Sequence, residues 1–278
     1  MITALGVDGK RRTYAGKTSK EINWAIGHSG NINLEAGVTY SIFDSLQFPS
    51  DTILDGHGAI LKLAKGLTVW GGRTASVSQK KAMLMIRGND AENVTIRNVT
   101  IDGSQSDYYP SVRLGTSCYN MATMIGCDGL TIENCTFKNG CNDALLLSAC
   151  KNVDIDKITV NRCGHDGIYS FQNSNVNVTN SIFINRTNCS CRFDGLSIGS
   201  FVNNKCSTSG GGGSGLQFQG TVKNVTVDSN YFRGLPYPGI WQYSGTLVNV
   251  LIKNNIVERC KSPGISVRGA TLKNNTIR

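Results

Sequence analysis

Cys141 to Ser200 reads CNDALLLSACKNVDIDKITVNRCGHDGIYSFQNSNVNVTNSIFINRTNCSCRFDGLSIGS. Three short apolar runs in it open on an aspartate: Asp143-Ala-Leu-Leu-Leu, Asp166-Gly-Ile-Tyr-Ser and Asp194-Gly-Leu-Ser-Ile, spaced by 23 residues (166 − 143) and then 28 (194 − 166). Between them lie the alternating runs Val153-Asp-Ile-Asp-Lys-Ile-Thr-Val and Val176-Asn-Val-Thr-Asn-Ser-Ile-Phe. A period of roughly 20–30 residues built only from short strands and turns predicts a solenoid.

The pattern extends both ways from this stretch. ENVTIRNVTI, GLTIENCTF, NVDIDKITV, NVNVTNSIF, KNVTVDSNYF, VNVLIKNNIV and ATLKNNTI, from Asn93 on, each read as strand, kink, strand. Period-2 alternation turns Val94 and Ile96, Leu130 and Ile132, Val153 and Ile155, Val176 and Val178, Val225 and Val227, and Val250 and Ile252 inward. At the kinks stand Asn98, Asn134, Asn180, Asn254 and Asn274. Asparagine tolerates the left-handed conformation, and stacked amides can hydrogen-bond along the axis. Sequons such as Asn93-Val-Thr are read as these turn residues rather than as glycan sites. A second strand set alternates with the first. It begins at Asn120, Asp143, Asp166, Asp194, Ser214, Pro238 and Pro263.

The expected fold class is therefore all-β: a single-stranded right-handed parallel β-helix with a short N-terminal capping helix. Residues 1–278 form one domain, with a cap over 1–30 and stacked coils from about residue 31, the last of them incomplete. Ser19-Lys-Glu-Ile-Asn-Trp-Ala-Ile supplies the helix, capped by Thr18 or Ser19, with Ile22, Ala25 and Ile26 on its apolar face. Residues 64–82 are expected to project as a loop, and Ser209-Gly-Gly-Gly-Gly-Ser-Gly as a linker or turn.

Net charge is +9, from 28 basic and 19 acidic residues. Much of the excess lies early, at Lys10, Arg11, Arg12, Lys17 and Lys20, and again at Lys62, Lys65, Arg73, Lys80 and Lys81. A basic surface favours anionic partners. No basic run interleaves with aromatics, so nucleic acid is not expected. No apolar run is long enough to span a membrane, and MITALGVDGKRR lacks the apolar core of a secretory signal. Seven of the ten cysteines recur at shared offsets from the coil heads: Cys118 and Cys141 two residues before, Cys163, Cys191 and Cys260 three before, and Cys127 and Cys150 seven after. This register predicts stacked buried thiols in preference to disulfides. With no CxxC pair, a structural zinc site is not expected.

The whole chain resembles the pectate-lyase-like β-helix superfamily, with repeats most similar to those of polygalacturonases. The resemblance rests on the cap helix, Leu34-Glu-Ala-Gly-Val-Thr-Tyr, Leu54-Asp-Gly-His-Gly-Ala and the repeats above. In polygalacturonases the catalytic carboxylates stand at the head of the second strand set. Asn142-Asp143 and His165-Asp166 occupy similar places. This chain has no paired Asp-Asp, no Gly-His-Gly one coil further on and no Arg-Ile-Lys, and its Gly56-His57-Gly58 falls in an early coil, where the superfamily uses it as a turn. The resemblance implies a polysaccharide-processing enzyme, a glycoside hydrolase first and a lyase or epimerase second.

The residues point to the same chemistry by a separate route. In-register coils about 4.8 Å apart would bring Asp143, Asp166 and Asp194 into a ladder, with neighbours roughly 5 Å apart. That spacing suits a retaining glycosidase, and alternate aspartates at about 10 Å lie at the edge of the inverting range. Like charges so close raise at least one pKa, and His165 could tune either role. Tyr169, Phe171, Gln217, Trp241, Tyr243 and Arg268 fall on outward positions and are the expected substrate-binding residues, with Ser197 and Gly199 in the same rows. Arg113, Arg162, Arg186, Arg192 and Arg233 are placed in loops, where they could neutralise a uronate. No cofactor is required, although two ladder carboxylates could hold Ca²⁺. Asp-Gly before a strand is also ordinary turn chemistry, which leaves a second class open: a non-catalytic β-helix that recognises glycans or serves as a structural element. It would belong to a cell surface or a virion, as a homo-oligomer and a trimer if a tailspike. Either class places the protein outside the cell or on a virion.

Overall fold

A computed structural model describes residues 1–6, 8–28, 30–64, 86–104, 120–140, 142–184, 188–208 and 212–278. The expected projecting loop (from residue 65 on), residues 209–211 of the Ser209 glycine run, Cys118, Cys141, Arg113 and Arg186 lie outside these residues.

Two parallel sheets wind about one axis. The second strand set forms a sheet of 9 strands among the described residues, from Leu46–Phe48 through Ile86–Asn89, Ala122–Ile125, Leu145–Ser148, Ile168–Phe171, Cys191–Asp194, Leu216–Gln219 and Ile240–Gln242 to Ile265–Ser266. The strand–kink–strand repeats form the other sheet, in which each repeat pairs with the coils before and after it, as Leu130 does with Val94 and Val153. The chain thus stacks with a repeat of about two dozen residues, and every interior strand has both edges satisfied.

Alternation places the inward residues as expected. The twelve named above, from Val94 to Ile252, are all at most 1% exposed. Between the sheets Phe183, Phe193, Phe201, Phe218 and Phe232 are fully buried, with Phe201 and Phe232 stacked at 6.3 Å between ring centroids. At the N-terminal end Ile2–Leu5 and Arg11–Tyr14 form an antiparallel hairpin beside the helix Ser19–His28. Thr18 caps that helix: its hydroxyl accepts from the Lys20 amide at 3.3 Å, and the Glu21 carboxylate accepts from the Thr18 amide at 3.2 Å. Two backbone donors are met reciprocally. Ile22, Ala25 and Ile26 are buried.

The five kink asparagines all have φ between 50° and 55°. Their amides bridge coils, with Asn134 Nδ2 donating to Asn98 Oδ1 at 2.7 Å and Asn180 Nδ2 to Asp156 Oδ1 at 2.6 Å. The residue after the kink builds a second, interior ladder that the alternation did not reveal. Asn204, Asn230 and Asn255 are at most 1% exposed, and Asn275 continues the row. The Oδ1 of Asn230 accepts from the Asn204 backbone amide at 2.8 Å, and its Nδ2 donates to the Phe201 carbonyl at 2.7 Å. Asn230→Ala would leave the Asn204 amide buried and unpaired, at a cost of about 1–3 kcal/mol, and would remove one bond to the Phe201 carbonyl. The melting temperature should fall accordingly.

Cys127, Cys135, Cys150, Cys163 and Cys191 are buried free thiols. Cys127 and Cys150 lie one coil apart. The hydrogen bond from Cys150 holds the Cys127 thiol down to about 7, and the same bond drives Cys150 up. Among the described cysteines, stacked thiols are the arrangement the register predicted.

Candidate active site

Each coil head sits where the first sheet turns into the second, and the pairing defines which heads align. Leu145 pairs with Ala122 and Ile168, and Ile168 with Cys191. Counting back two residues, the ladder is Asn120, Asp143, Asp166, Cys189. Asp194 is not a member. It ends the strand Cys191–Asp194, five residues beyond Cys189, and pairs with Phe171 and Gln219.

The two Asp-Gly dipeptides explain the difference. Gly195 has φ of 72°, so Asp194-Gly195 is a true turn leading to the next strand of the first sheet, Gly199–Val202. Gly167 has no such conformation. A Cβ there would stand 2.4 Å from the Ser190 carbonyl oxygen, so that glycine answers to close packing between coils. The inverting pair that needed Asp194 in the ladder is therefore removed. In the outward rows Arg192 and Asp194 take the places expected for Ser197 and Gly199. Arg162, Arg192 and Arg233 lie in strands, not loops.

The ladder side chains bond along the axis. Asn120 Oδ1 accepts from the Asp143 amide at 3.3 Å, Asp143 Oδ1 from the Asp166 amide at 3.0 Å, and Asp166 Oδ1 from the Cys189 amide at 3.0 Å. Both carboxylates are 0% exposed. His165 bridges them: its Nδ1 lies 2.6 Å from Asp143 Oδ1 and 3.3 Å from Asp166 Oδ2. One ligand atom from each of the three groups lies within 4.8 Å of the others. Asn188 presents its Nδ2 to His165 Nε2 at 3.1 Å and donates to Asp166 Oδ1 at 2.8 Å. That arrangement suits the neutral imidazole with its proton on Nδ1. Arg192 Nη2 lies 3.0 Å from Asp166 Oδ2, and its guanidinium lies over the Tyr169 ring at 4.9 Å. Tyr169 in turn donates its hydroxyl to Asp194 Oδ2 at 3.0 Å.

Burial pushes the Asp166 carboxyl above the usual carboxylate range, with the nearby Asp143 adding to the rise and His165 and Arg192 opposing it. For Arg192 burial works downward, but Asp166 together with smaller contributions from Cys189, Tyr169 and Asp143 outweighs it, and the guanidinium is held more firmly charged. Asp143, His165 and Asp166 could in principle hold a metal ion. Ca²⁺ takes six to eight oxygen ligands. Here one of three ligands is nitrogen, and a guanidinium already occupies the positive position beside Asp166 Oδ2. The donor set does not fit Ca²⁺.

Asn188 and Arg192 were not singled out as partners of the cluster. Strict addition of 23 to Asn142-Asp143 and His165-Asp166 lands on Asn188-Cys189, which would have found the first of them.

The outward rows are unequally open. Thr123, Leu146, Arg192 and Gln217 are at most 8% exposed. Gln217 lies on the outward side as expected, yet it is buried, with its Oε1 accepting from the Cys189 thiol at 2.7 Å. Tyr169 and Phe171 are half-buried, with ring centroids 6.2 Å apart. Trp241 is half-buried, and Tyr243 and Arg268 are exposed.

A family model for the right-handed β-helix region matches residues 84–250, more than half of the chain. The chain belongs to the right-handed β-helix family. Among the described residues, no helix of this β-helix is long and apolar enough to cross a membrane. No curated protein sequence matches it. Solved structures do. The hyperthermoactive exopolygalacturonase of Thermotoga maritima superposes with a TM-score of 0.67 at 13% identity, over 92% of this chain and 71% of that one. The polygalacturonase of Erwinia carotovora ssp. carotovora gives 0.62 at 15% identity, over 96% and 91%. The surface adhesin PfbA of Streptococcus pneumoniae gives 0.64 at 14% identity, over 95% and 90%. At these identities the likeness is one of fold.

Proposed function

We propose that this β-helix processes an acidic polysaccharide, with Asp143, His165 and Asp166 as its reaction centre and the outward face of the second sheet as its glycan surface. One observation carries the reading. The ladder position needs only a side-chain oxygen for the next coil's amide, and Asn120 supplies it without charge. Two carboxylates in that role, fully buried beside an imidazole and a guanidinium, are far more costly than amides would be. Such clusters of perturbed groups belong to functional sites more often than to scaffolds.

Hydrolysis is the reaction class that fits best. Asp166, pushed upward by burial, is the group to hold and give a proton to a leaving oxygen. Asp143 is the complementary carboxylate, bridged to it through His165. Their closeness suits the retaining geometry, in which the two carboxyl groups stand about 5–5.5 Å apart. The net charge of +9 favours an anionic chain. This reading places the protein where polysaccharide is met, outside a cell or on a virion surface.

A second reading has its own support. Both carboxylates are closed from solvent and bonded to backbone amides, an arrangement that also suits a rigid floor beneath a non-catalytic glycan-recognising face. The fold itself does not choose, since it is shared with polygalacturonases and with an adhesin.

The test is a panel of polygalacturonate, alginate, hyaluronan and xylan, read for new reducing ends and for the ultraviolet absorbance of unsaturated uronate ends. New reducing ends without unsaturation are expected. Unsaturation would move the reaction class to a lyase. Binding without turnover would establish the second reading, and neither binding nor turnover would end both.

A further inference from the structure

The two aromatic groups on the outward face differ in what they leave free. Tyr169 carries the Arg192 guanidinium over its ring and gives its hydroxyl to Asp194. Further along the axis Tyr237, Trp241 and Tyr243 form a three-ring cluster. Tyr237 stacks on Trp241 at 5.3 Å, and Tyr243 meets Trp241 edge-on at 5.3 Å. Tyr237 is 41% exposed and Tyr243 60%. Beside them opens a cleft of about 510 Å³, lined in part by Gln242, Tyr243, Ser244 and Arg268. Its wall is rigid: Gln242 Oε1 accepts from the Arg268 amide at 2.7 Å, and Gln242 Nε2 donates to the Gly245 carbonyl at 2.9 Å. Lys261 adds a positive charge 5.4 Å from the Tyr237 ring.

Exposed aromatic rings beside fixed polar groups and cations are what a pyranose ring requires: rings for its C–H faces to stack on, and partners for its hydroxyls. We propose that the Tyr237–Trp241–Tyr243 cluster, with Arg268, is a distal sugar-binding subsite, and that the glycan chain runs from it along the solenoid axis to the Asp143–His165–Asp166 cluster. The proposal rests on the function proposed above. Register fixes the span. Tyr169 pairs with Arg192, Arg192 with Gln217 and Gln217 with Trp241. At about 4.8 Å per parallel step, the rings of Tyr169 and Trp241 belong to coils roughly 14 Å apart. A monosaccharide cannot bridge that distance, so occupancy of both ends requires an oligosaccharide, and affinity must depend on chain length.

The experiment titrates oligomers of increasing length, prepared from whichever panel polysaccharide the wild type binds, into the wild type, Trp241→Ala and Tyr243→Ala, by calorimetry. Tyr243 is exposed, so its replacement leaves the core intact. The wild type should show affinity rising with length up to the spanning oligomer. Both variants should lose that rise, by about tenfold or more for the longest oligomers, with short-oligomer affinity unchanged. An unaltered length dependence in both variants overturns the subsite while leaving the function standing. If the cluster instead seats a second copy of the chain, Tyr243→Ala will shift the sedimentation coefficient and leave glycan affinity unchanged, which also overturns it. Should the wild type bind no member of the panel, the proposed function fails and the subsite with it.

Discussion

Asp143→Asn should leave the solenoid folded and lower turnover by about 10²–10⁴-fold, the usual contribution of a positioned acid or base. The structural half of this expectation is written in the ladder. Asn120 shows that an amide oxygen at a coil head accepts the next coil's backbone N–H, so an amide introduced at position 143 can still accept from the Asp166 amide. The chemical half follows from the charge. His165 Nδ1 faces the Asp143 carboxylate at 2.6 Å, and an amide there removes the carboxylate that holds the imidazole and that complements Asp166. Far-ultraviolet circular dichroism and the melting temperature should match the wild type. Unchanged turnover in the folded variant would reduce the cluster to scaffolding.

Much of this arrangement was legible in the sequence, because a solenoid converts spacing into contact. Val94 to Ile252 point inward, the kink asparagines adopt positive φ, and the helix Ser19–His28 buries the face that its apolar spacing marked. Asp143, His165 and Asp166 meet because 23 residues make one turn there. Asp194 was misplaced because Asp-Gly has two physical meanings, a left-handed turn at Gly195 and a close coil-to-coil approach at Gly167, that share the same letters. Taking the wrong one hid the true ladder member, Cys189, and with it the strand that carries Arg192. The interior asparagine row stayed hidden for another reason: Cys135, Ile158, Ser181 and Asn204 hold equivalent places after the kink, and only from Asn204 on does an amide recur. Burial of Gln217 could not be read from alternation, which gives the side of a sheet but not what lies over it.

The second large effect concerns the pair Asp166–Arg192, and it separates function from stability. Arg192→Met should destabilise by about 3–5 kcal/mol, because it leaves the buried Asp166 carboxylate short of its guanidinium partner. Asp166→Leu should cost a similar amount by stranding Arg192, which is 7% exposed and whose Nε has no hydrogen-bond partner among the described residues. The double variant Asp166→Leu/Arg192→Met should recover most of that loss and can exceed the wild type, since apolar replacement of a whole buried pair is often neutral or stabilising by about 1–4 kcal/mol. The pH dependence gives an independent sign. Asp166 has a folded pKa above its unfolded value near 3.9, so the folded state binds that proton more tightly. Its contribution is fully present below the unfolded pKa and is lost as pH rises through the folded one. Asp55, Asp156 and Asp228 act oppositely: their carboxyls are held down in the fold, and the stability they add is lost as pH falls through their folded pKa values. Denaturant unfolding at several pH values should therefore show the double variant losing more stability on acidification than the wild type does. A double variant that is as stable as the wild type at neutral pH, folded and inactive, would mean that the chain carries this ion pair for its chemistry. If it instead collapses, the pair belongs to the fold.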